Sequence, residues 1–350
     1  MSDTIKLTQY SHGGGCGCKI APGVLEEILH SQYAFPDSNH LLVGNNSKDD
    51  AAVYDIGNGM AVISTTDFFM PIVNDPFDFG RIASANAISD VYAMGGKPIM
   101  AVAILGWPID KLPASIARSV LDGSKTVCKQ AGIPLAGGHS IDAPEPIFGL
   151  AVTGMVDIKN LKQNNTAKEG DFLFLTKKIG VGIVSTSQKR ELISDNHFQT
   201  LLKQLTQLNS IGELMGKLHG VNAMTDVTGF GLLGHLTEMA EGSGTTAEIN
   251  FGAIPIIDGA LEYLAQKVIP GATMRNWKSI GEKVSFQNTS NQLDLIHLLA
   301  DPQTNGGLLI SVSESSVNEV IEILCENGYE DFILPIGRMT TKSDKTIIVR

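Results

Sequence analysis

The segment Ser11-His12-Gly13-Gly14-Gly15-Cys16-Gly17-Cys18-Lys19 carries four glycines in nine residues. Such a run cannot hold a helix or strand on its own, because glycine surrenders more backbone entropy on ordering than any other residue. The folded core must therefore begin beyond it, and residues 1–23 are expected to form a mobile arm bearing two thiols and a lysine. Glycine is abundant along the whole chain, 37 of 350 residues, against the ~7% usual in proteins. Many turns of unusual backbone geometry are expected.

A chain of 350 residues exceeds the ~150 typical of one domain, so two are expected, each able to bury a sizeable core. With 43% hydrophobic and 18% charged residues the composition is globular. Lys plus Arg number 26 against 37 Asp plus Glu, a formal charge of −11. That balance argues against a nucleic-acid partner but leaves room for a local anion site. Four cysteines in so long a chain make no disulfide framework, and Met1-Ser2-Asp3-Thr4 lacks signal-peptide architecture, so a cytoplasmic protein with reduced thiols is expected. The longest apolar stretch, Ile99 to Leu105, is far short of the ~20 residues that cross a bilayer. It is expected to be a buried strand, and no membrane partner is expected.

Beyond the arm, Val24 to Leu29 has helical spacing. The strand-like runs Ala51 to Ile56 and Met60 to Ser64, joined by Gly57-Asn58-Gly59, read as a hairpin. From Phe79 to Met94, Ile82, Ala83, Ala87, Ile88 and Val91 recur at helical intervals before Gly95-Gly96, the pattern of a helix with a glycine C-cap. Pro113 to Gln130 reads as another helix, Ile133 to Ala136 as a short strand running into Gly137-Gly138-His139, and Phe148 to Val156 as a further strand. The polar stretch Asp157 to Gly170 is the expected junction, giving domains 24–157 and 158–350 behind the arm. In the second, a strand Phe172 to Thr176 and a turn at Gly180-Val181-Gly182 precede helical patterns over 197–218, 231–241, 291–300 and 315–327, and the closing strands include Ile347-Ile348-Val349. Strands and helices mix without a strict βαβ rhythm, an α/β fold of the α+β type.

The arm fails the P-loop pattern, because Cys18 stands between Gly17 and Lys19 and Ile20 follows. Gly229-Phe230-Gly231-Leu232-Leu233-Gly234 matches the dinucleotide fingerprint in letters, but Asp226 three residues earlier would repel a pyrophosphate unless a cation lay between them. Structural glycines at a strand-to-helix turn, a metal-nucleotide contact and an NAD site are the readings it leaves open. Asp49, Asp50, Asp67, Asp90 and Asp226 all stand at or near element ends. Singly each reads as a turn or cap. As a set they suit a hard cation such as Mg²⁺, which takes carboxylate oxygens and bridges them to phosphates. Asn86 and Asp90, four apart, share a helical face with alanines.

Cys16 and Cys18 lack zinc-finger and thioredoxin spacing. Lys19 nearby would favour a thiolate and the glycines leave the sulfur uncrowded, which points to a reactive thiol; a soft-metal site joined by His12, and inert thiols, are the alternatives. Cys128 and Cys325 fall in helical apolar patterns and read as small core residues. Ala136 to Asp142 reads as a glycine turn able to hold phosphate, and Asp301 to Gly307 as a tight turn entering the strand Leu308 to Val312.

Taken in order, Leu7-Thr8-Gln9-Tyr10-Ser11-His12 through Cys16-Gly17-Cys18-Lys19, Lys48-Asp49-Asp50-Ala51-Ala52-Val53, Ser64-Thr65-Thr66-Asp67-Phe68-Phe69, Leu135 to Ser140 and Met224 to Gly231 closely resemble the selenophosphate synthetase, or selenide, water dikinase, family. The likeness covers nearly the whole chain. It implies that ATP, selenide and water give selenophosphate, AMP and phosphate, with Mg²⁺ required and a monovalent cation such as K⁺ assisting. It implies the two-domain fold of the aminoimidazole ribonucleotide synthetase superfamily, with N-terminal domains pairing into a shared β-barrel in a homodimer and ATP at the pairing surface. By motif, Cys16 matches the family's cysteine or selenocysteine, and Lys19 its lysine needed for activity and ATP contact. Asp50, Asp90 and Asp226 match Mg²⁺ ligands. Ser47, Lys48, Asp49, Asp67 and Asp90 match the nucleotide-contacting segment, and Gly138-His139-Ser140 the ATP contact from the dimer partner. Asn305 stands where the family's usual run has serine, and a selenium-delivery protein is a further partner implied. Triphosphate and selenide repel each other, so the arm is expected to fold over the nucleotide and exclude water while Cys16 guides or transiently holds selenium.

Overall fold

The computed structural model describes residues 5–20, 22–29, 38–44, 49–287 and 291–350. Ser47 and Lys48 lie outside the described residues.

After helix α1 (Pro22–Leu29), alternating apolar residues and the Gly57-Asn58-Gly59 turn build the first sheet. Its strands are β1 (Leu41–Val43), β2 (Ala52–Gly57), β3 (Met60–Phe69), β4 (Lys97–Trp107), β5 (Leu135–Asp142) and β6 (Ile147–Asp157), in the order β1-β2-β3-β6-β4-β5. Period-two alternation gives β3 two faces: Ala61, Ile63, Thr65 and Phe69 are buried, whereas Ser64, Thr66 and Phe68 are exposed. The buried face packs on α2 (Pro76–Ala93), and α3 (Ala114–Gln130) packs on α2 in turn.

Asp75 caps α2 by accepting from the Asp78 backbone N–H, Pro76 occupies the first turn, and Gly95 at φ 72° follows its end. Every residue from Phe79 to Ala93 except Arg81 is buried. A helix enclosed on all sides needs small residues, which the Ala- and Ser-rich sequence supplies. Polar groups on α2 are therefore buried too, and need partners.

Two features of this sheet correct the expectations. The apolar stretch around Ile99 is buried on one side only: Tyr54, Phe68, Met100 and Ile141 are 47, 53, 42 and 60% exposed. Register puts them on one face, since Tyr54 pairs with Val62, Phe68 with Gly149, Gly149 with Ile104, and Gly106 with Ile141. Second, the expected turn at Ala136–Asp142 is most of β5, the free edge of the sheet, paired parallel with β4. Gly137 and Gly138 carry the chain through φ of 138° and 154°, so what reads as a turn is an irregular strand.

The second sheet contains β7 (Phe172–Leu175), β8 (Val221–Asp226), β9 (Thr246–Ile249), β10 (Val284–Phe286), β11 (Leu308–Val312), β12 (Gly337–Thr340) and β13 (Ile347–Val349), ordered β10-β13-β9-β12-β7-β11-β8. With it come α4 (Val181–Lys189), α5 (Asp195–Thr206), α6 (Ile211–Gly216), α7 (Gly231–Gly242), α8 (Ala260–Ala265), α9 (Gly271–Ile280), α10 (Gln292–Leu299) and α11 (Val317–Glu326). The helical pattern over 197–218 is two helices, α5 and α6, and the short α8 and α9 fall outside the patterns read from sequence. Helix α2 carries the junction between the halves, touching α5, α6 and β8. Among the described residues, no helix is long and apolar enough to cross a membrane.

The arm is docked. Leu7–Tyr10 and Gly15–Cys18 form single 3₁₀ turns, and Leu7, Thr8 and Cys16 are buried. Leu7 and Gly15 N–H groups donate to the Asn74 and Met70 carbonyls, and Lys189 Nζ donates to the Ser11 carbonyl. Glycine excludes long elements here but permits these tight turns, which corrects the picture of an arm without regular structure.

Candidate active site

Alternation along β3 turns Thr65 and Asp67 toward α2, which bears Asn86 and Asp90 one turn apart. Asp226 ends β8, and Asp50 stands two residues before β2. Separate elements thus deliver acids to one place: Asp50, Asp90 and Asp226 each offer an oxygen, all within 4.8 Å of one another. A hydroxyl from a neighbouring element holds each: Thr65 donates to Asp90, Ser89 to Asp226, and Thr225 Oγ1 to Asp50 Oδ1 at 2.9 Å. Asp50 Oδ2 is buried without a hydrogen-bond partner.

Burial, then the neighbouring acids, push Asp50 and Asp90 well above the usual carboxylate range. Burial also raises Asp226 to about 6, against the Ser89 hydrogen bond that lowers it. As bare anions the three acids repel one another in a poorly solvated place, and a divalent cation relieves that cost. The donors are all carboxylate oxygens, the set that suits a hard ion such as Mg²⁺ over a thiolate-seeking metal. The orphaned Asp50 oxygen fits the same account.

Lys19 Nζ lies 3.6 Å from Asp67 Oδ1, and Asp67 above all keeps the ammonium charged. Asn86 Nδ2 donates to Asp67 Oδ2 at 2.6 Å, while Asn86 Oδ1 accepts from the Asn305 N–H at 2.7 Å and from Cys16 Sγ at 3.2 Å. The Cys16 N–H donates to Thr304 Oγ1 at 3.0 Å. The expected exposed thiolate is corrected. Cys16 is 2% exposed, and burial, followed by the Asp67 charge, raises its thiol far above the ordinary value in spite of Lys19. The sulfur is a neutral donor to Asn86. Gly229 allows this packing, since a Cβ there would meet the Cys16 carbonyl at 2.7 Å. Of the readings of the glycine fingerprint, structural glycines account for that contact.

Asp49 is not one of the three acids whose oxygens converge, although its charge helps to raise Asp50. Its Oδ1 accepts from the Asp50 N–H at 3.1 Å and the Asn164 N–H at 3.3 Å, tying the acidic loop to the second half of the chain. Gly138, His139 and Ser140 are exposed on β5 and contribute none of the side-chain hydrogen bonds just described.

Several participants escaped the sequence reading. The run Asp301 to Gly307 is more than a turn: Asn305, at φ 47° and fully buried, donates from Nδ2 to the Leu205 and Gln207 carbonyls and presents its N–H to Asn86. Asn209 Nδ2 donates to Ser89 Oγ and the Gly306 carbonyl, each at 2.8 Å. Lys177, lowered to about 7 by burial, donates to the Gln207 and Asn305 carbonyls. The available signal was a polar run immediately before the wholly buried strand β11.

The family model for the AIR synthase related protein, N-terminal domain, matches residues 48–156, and that for the C-terminal domain matches residues 168–350. A selenide, water dikinase of Shewanella putrefaciens is 57% identical over 350 residues, covering 100% of this chain and 97% of its own. One from Aeromonas hydrophila is 54% identical over 345 residues, covering 99% and 98%. Among solved structures, hydrogenase maturation protein HypE in complex with ATP has a TM-score of 0.63 at 16% identity, covering 99% of this chain and 94% of that one. That likeness is one of fold. The identities over the whole length go further: the chain belongs to the selenide, water dikinase family, on the two-domain fold of the AIR synthase related proteins.

Proposed function

We propose that this chain makes selenophosphate, AMP and phosphate from ATP, selenide and water, and that the reaction runs between the acid cluster and the docked arm. The observation that carries the reading is the convergence of Asp50, Asp90 and Asp226 beside Lys19 and the Cys16 thiol. A polyphosphate needs its charge neutralised and a selenium anion needs a soft, uncharged neighbour, and these residues offer both close together.

In this reading Asp50, Asp90 and Asp226 would hold Mg²⁺, which when bound neutralises and orients the triphosphate. Lys19, kept charged by Asp67, supplies a further cation to the phosphates, with Ser47, Lys48, Asp49, Asp67 and Asp90 forming the nucleotide-contacting segment. Asn86 fixes Asp67 and the Cys16 sulfur together. Because Cys16 is a neutral thiol whose S–H is held by Asn86, its sulfur presents no negative charge to repel an arriving selenide, as a thiolate would. Phosphoryl transfer then rests on positioning and charge neutralisation, with residues 1–23 as the covering arm.

The exposed apolar face bearing Tyr54, Phe68, Met100 and Ile141 supports pairing with a second copy of domain 24–157, domain 158–350 lying outside the pair. Its edge strand would bring Gly138-His139-Ser140 to the nucleotide. The family likeness also favours a K⁺ activator and a selenium-delivery protein, and oxidation-sensitive selenide suits a cytoplasmic setting.

Phosphorus NMR of ATP and Mg²⁺ with and without selenide tests the reading. A new phosphorus species and AMP, both dependent on selenide, are expected. AMP without selenide, or no new species, would overturn it.

A further inference from the structure

The arm has a second side. Away from the acid cluster, a cavity of about 510 Å³ opens between the arm and helices α4 and α9. Gly17 and Thr304 are part of its wall, and Thr304 is the residue whose hydroxyl receives the Cys16 N–H. Lys189, Arg190, Arg275 and Cys18 also line it, and no Asp or Glu does among the described residues. Lys189 Nζ donates to the Ser11 carbonyl at 3.4 Å and Arg275 Nη2 to the Gly17 carbonyl at 3.3 Å, so two cations are anchored on the arm itself. Both draw the Cys18 thiol down, against the larger upward effect of its burial. At the rim, His12 Nδ1 hydrogen-bonds Glu145 Oε2 at 2.9 Å.

We propose that this basic cavity is the route by which the anionic selenium substrate reaches Cys16. The ligand class is a small singly charged chalcogenide, hydrogen selenide, HSe⁻. The inference rests on the reading of the reaction given above. Over the acid face, HSe⁻ would meet Asp67, Asp90 and Asp226 and then the phosphates of ATP, all of its own sign. Through the cavity it meets Lys189, Arg190 and Arg275 within low-dielectric walls that focus their field. Two like-charged substrates thus approach the Cys16 turn from opposite sides. No covalent step at Cys18 is involved; its thiol is a hydrogen-bond donor along the path.

The test is the double variant Lys189→Gln/Arg275→Gln, which removes two charges but retains donors for the Ser11 and Gly17 carbonyls. Under anaerobic conditions with hydrogen selenide, kcat/KM for selenide should fall about tenfold or more, and its dependence on salt should flatten. The KM for ATP and kcat at saturating selenide should stay within about twofold. Unchanged kcat/KM for selenide, or an equal loss in kcat and in ATP affinity from a displaced arm, would overturn the route.

A second measurement needs no turnover. The ratio of Cys18 alkylation by anionic iodoacetate to that by neutral iodoacetamide, mapped by mass spectrometry, should be raised in the unaltered protein and fall in the variant. A raised ratio with unchanged selenide kinetics refutes the route and leaves the reaction standing. An unaltered protein that forms no selenophosphate refutes the reaction, and the route with it.

Discussion

Cys16 Sγ lies 3.2 Å from the side-chain oxygen of Asn86, joining the glycine arm to the enclosed helix α2. The same amide grips Asp67 at 2.6 Å, and Asp67 faces Lys19 at 3.6 Å. One side chain therefore sets the relative positions of the thiol, the carboxylate and the lysine. Asn86→Ala should lower kcat for selenophosphate formation by about 100-fold, the scale of a small misplacement of reacting groups. Calorimetric ATP affinity should change much less. An unaltered kcat would show that Asn86 only fills space.

Cys16→Ser keeps a donor for Asn86 but removes the soft sulfur. Selenide-dependent product should disappear while ATP binding, measured by calorimetry, persists; retained selenophosphate formation would reduce the thiol to a spectator. The neutral state of Cys16 adds a pH signature. Its thiol is held far above the ordinary range by burial, so kcat should not climb through the usual thiol titration near ~8.5. A tenfold rise per pH unit there would mean that the thiolate is the working form.

The acid cluster predicts a stability profile whose sign follows from the raised carboxyl groups. Asp226 is pushed up to about 6, and Asp50 and Asp90 well above the usual range, each by burial first. Groups raised on folding bind protons more tightly in the native state. Their stabilisation is complete below the unfolded value of ~3.9 and is lost as pH rises through the folded values. The difference in thermal midpoint between Mg²⁺-loaded and chelator-treated protein should therefore widen from about pH 4 to 7, because the cation restores what the bare carboxylates lose. Asp226→Asn should shrink that difference and abolish Mg²⁺-dependent AMP formation with the fold intact. A gap that narrows with pH, or near-normal AMP from the variant, would count against metal ligation.

What could be read from sequence follows the range of the forces involved. The β2–β3 hairpin, α2, α3 and α7 were legible because periodicity and glycine punctuation are local. Asp50, Asp90 and Asp226 each look like an ordinary turn or cap locally; hard-cation chemistry grouped them with Asp49 and Asp67, and only the order of motifs singled out the three. The neutral state of Cys16 was not legible, because burial beneath Gly229, Thr304 and Asn86 depends on residues 70 to 288 positions away. Asn305 and Lys177 serve the site through backbone carbonyls, an interaction that carries no sequence pattern. The glycines of β5 misled for the opposite reason: local preference favours a turn, and pairing with β4 overrides it.

The open face of the first sheet gives the last prediction. Phe68, 53% exposed, stands opposite Gly149, which pairs with Ile104, which pairs with His139. The exposed aromatic and the expected ATP-contacting strand thus share one surface, so disrupting the first should cost the second. Phe68→Glu should give monomers by sedimentation velocity, because an ionised side chain cannot be buried unpaired in an apolar interface. The domain should stay folded, since Phe68 lies outside its core. ATP affinity should fall by about tenfold or more as contacts from Gly138-His139-Ser140 of a second copy are lost. A monomer that binds ATP normally would mean that one chain completes the site, and a persistent dimer would put the interface elsewhere.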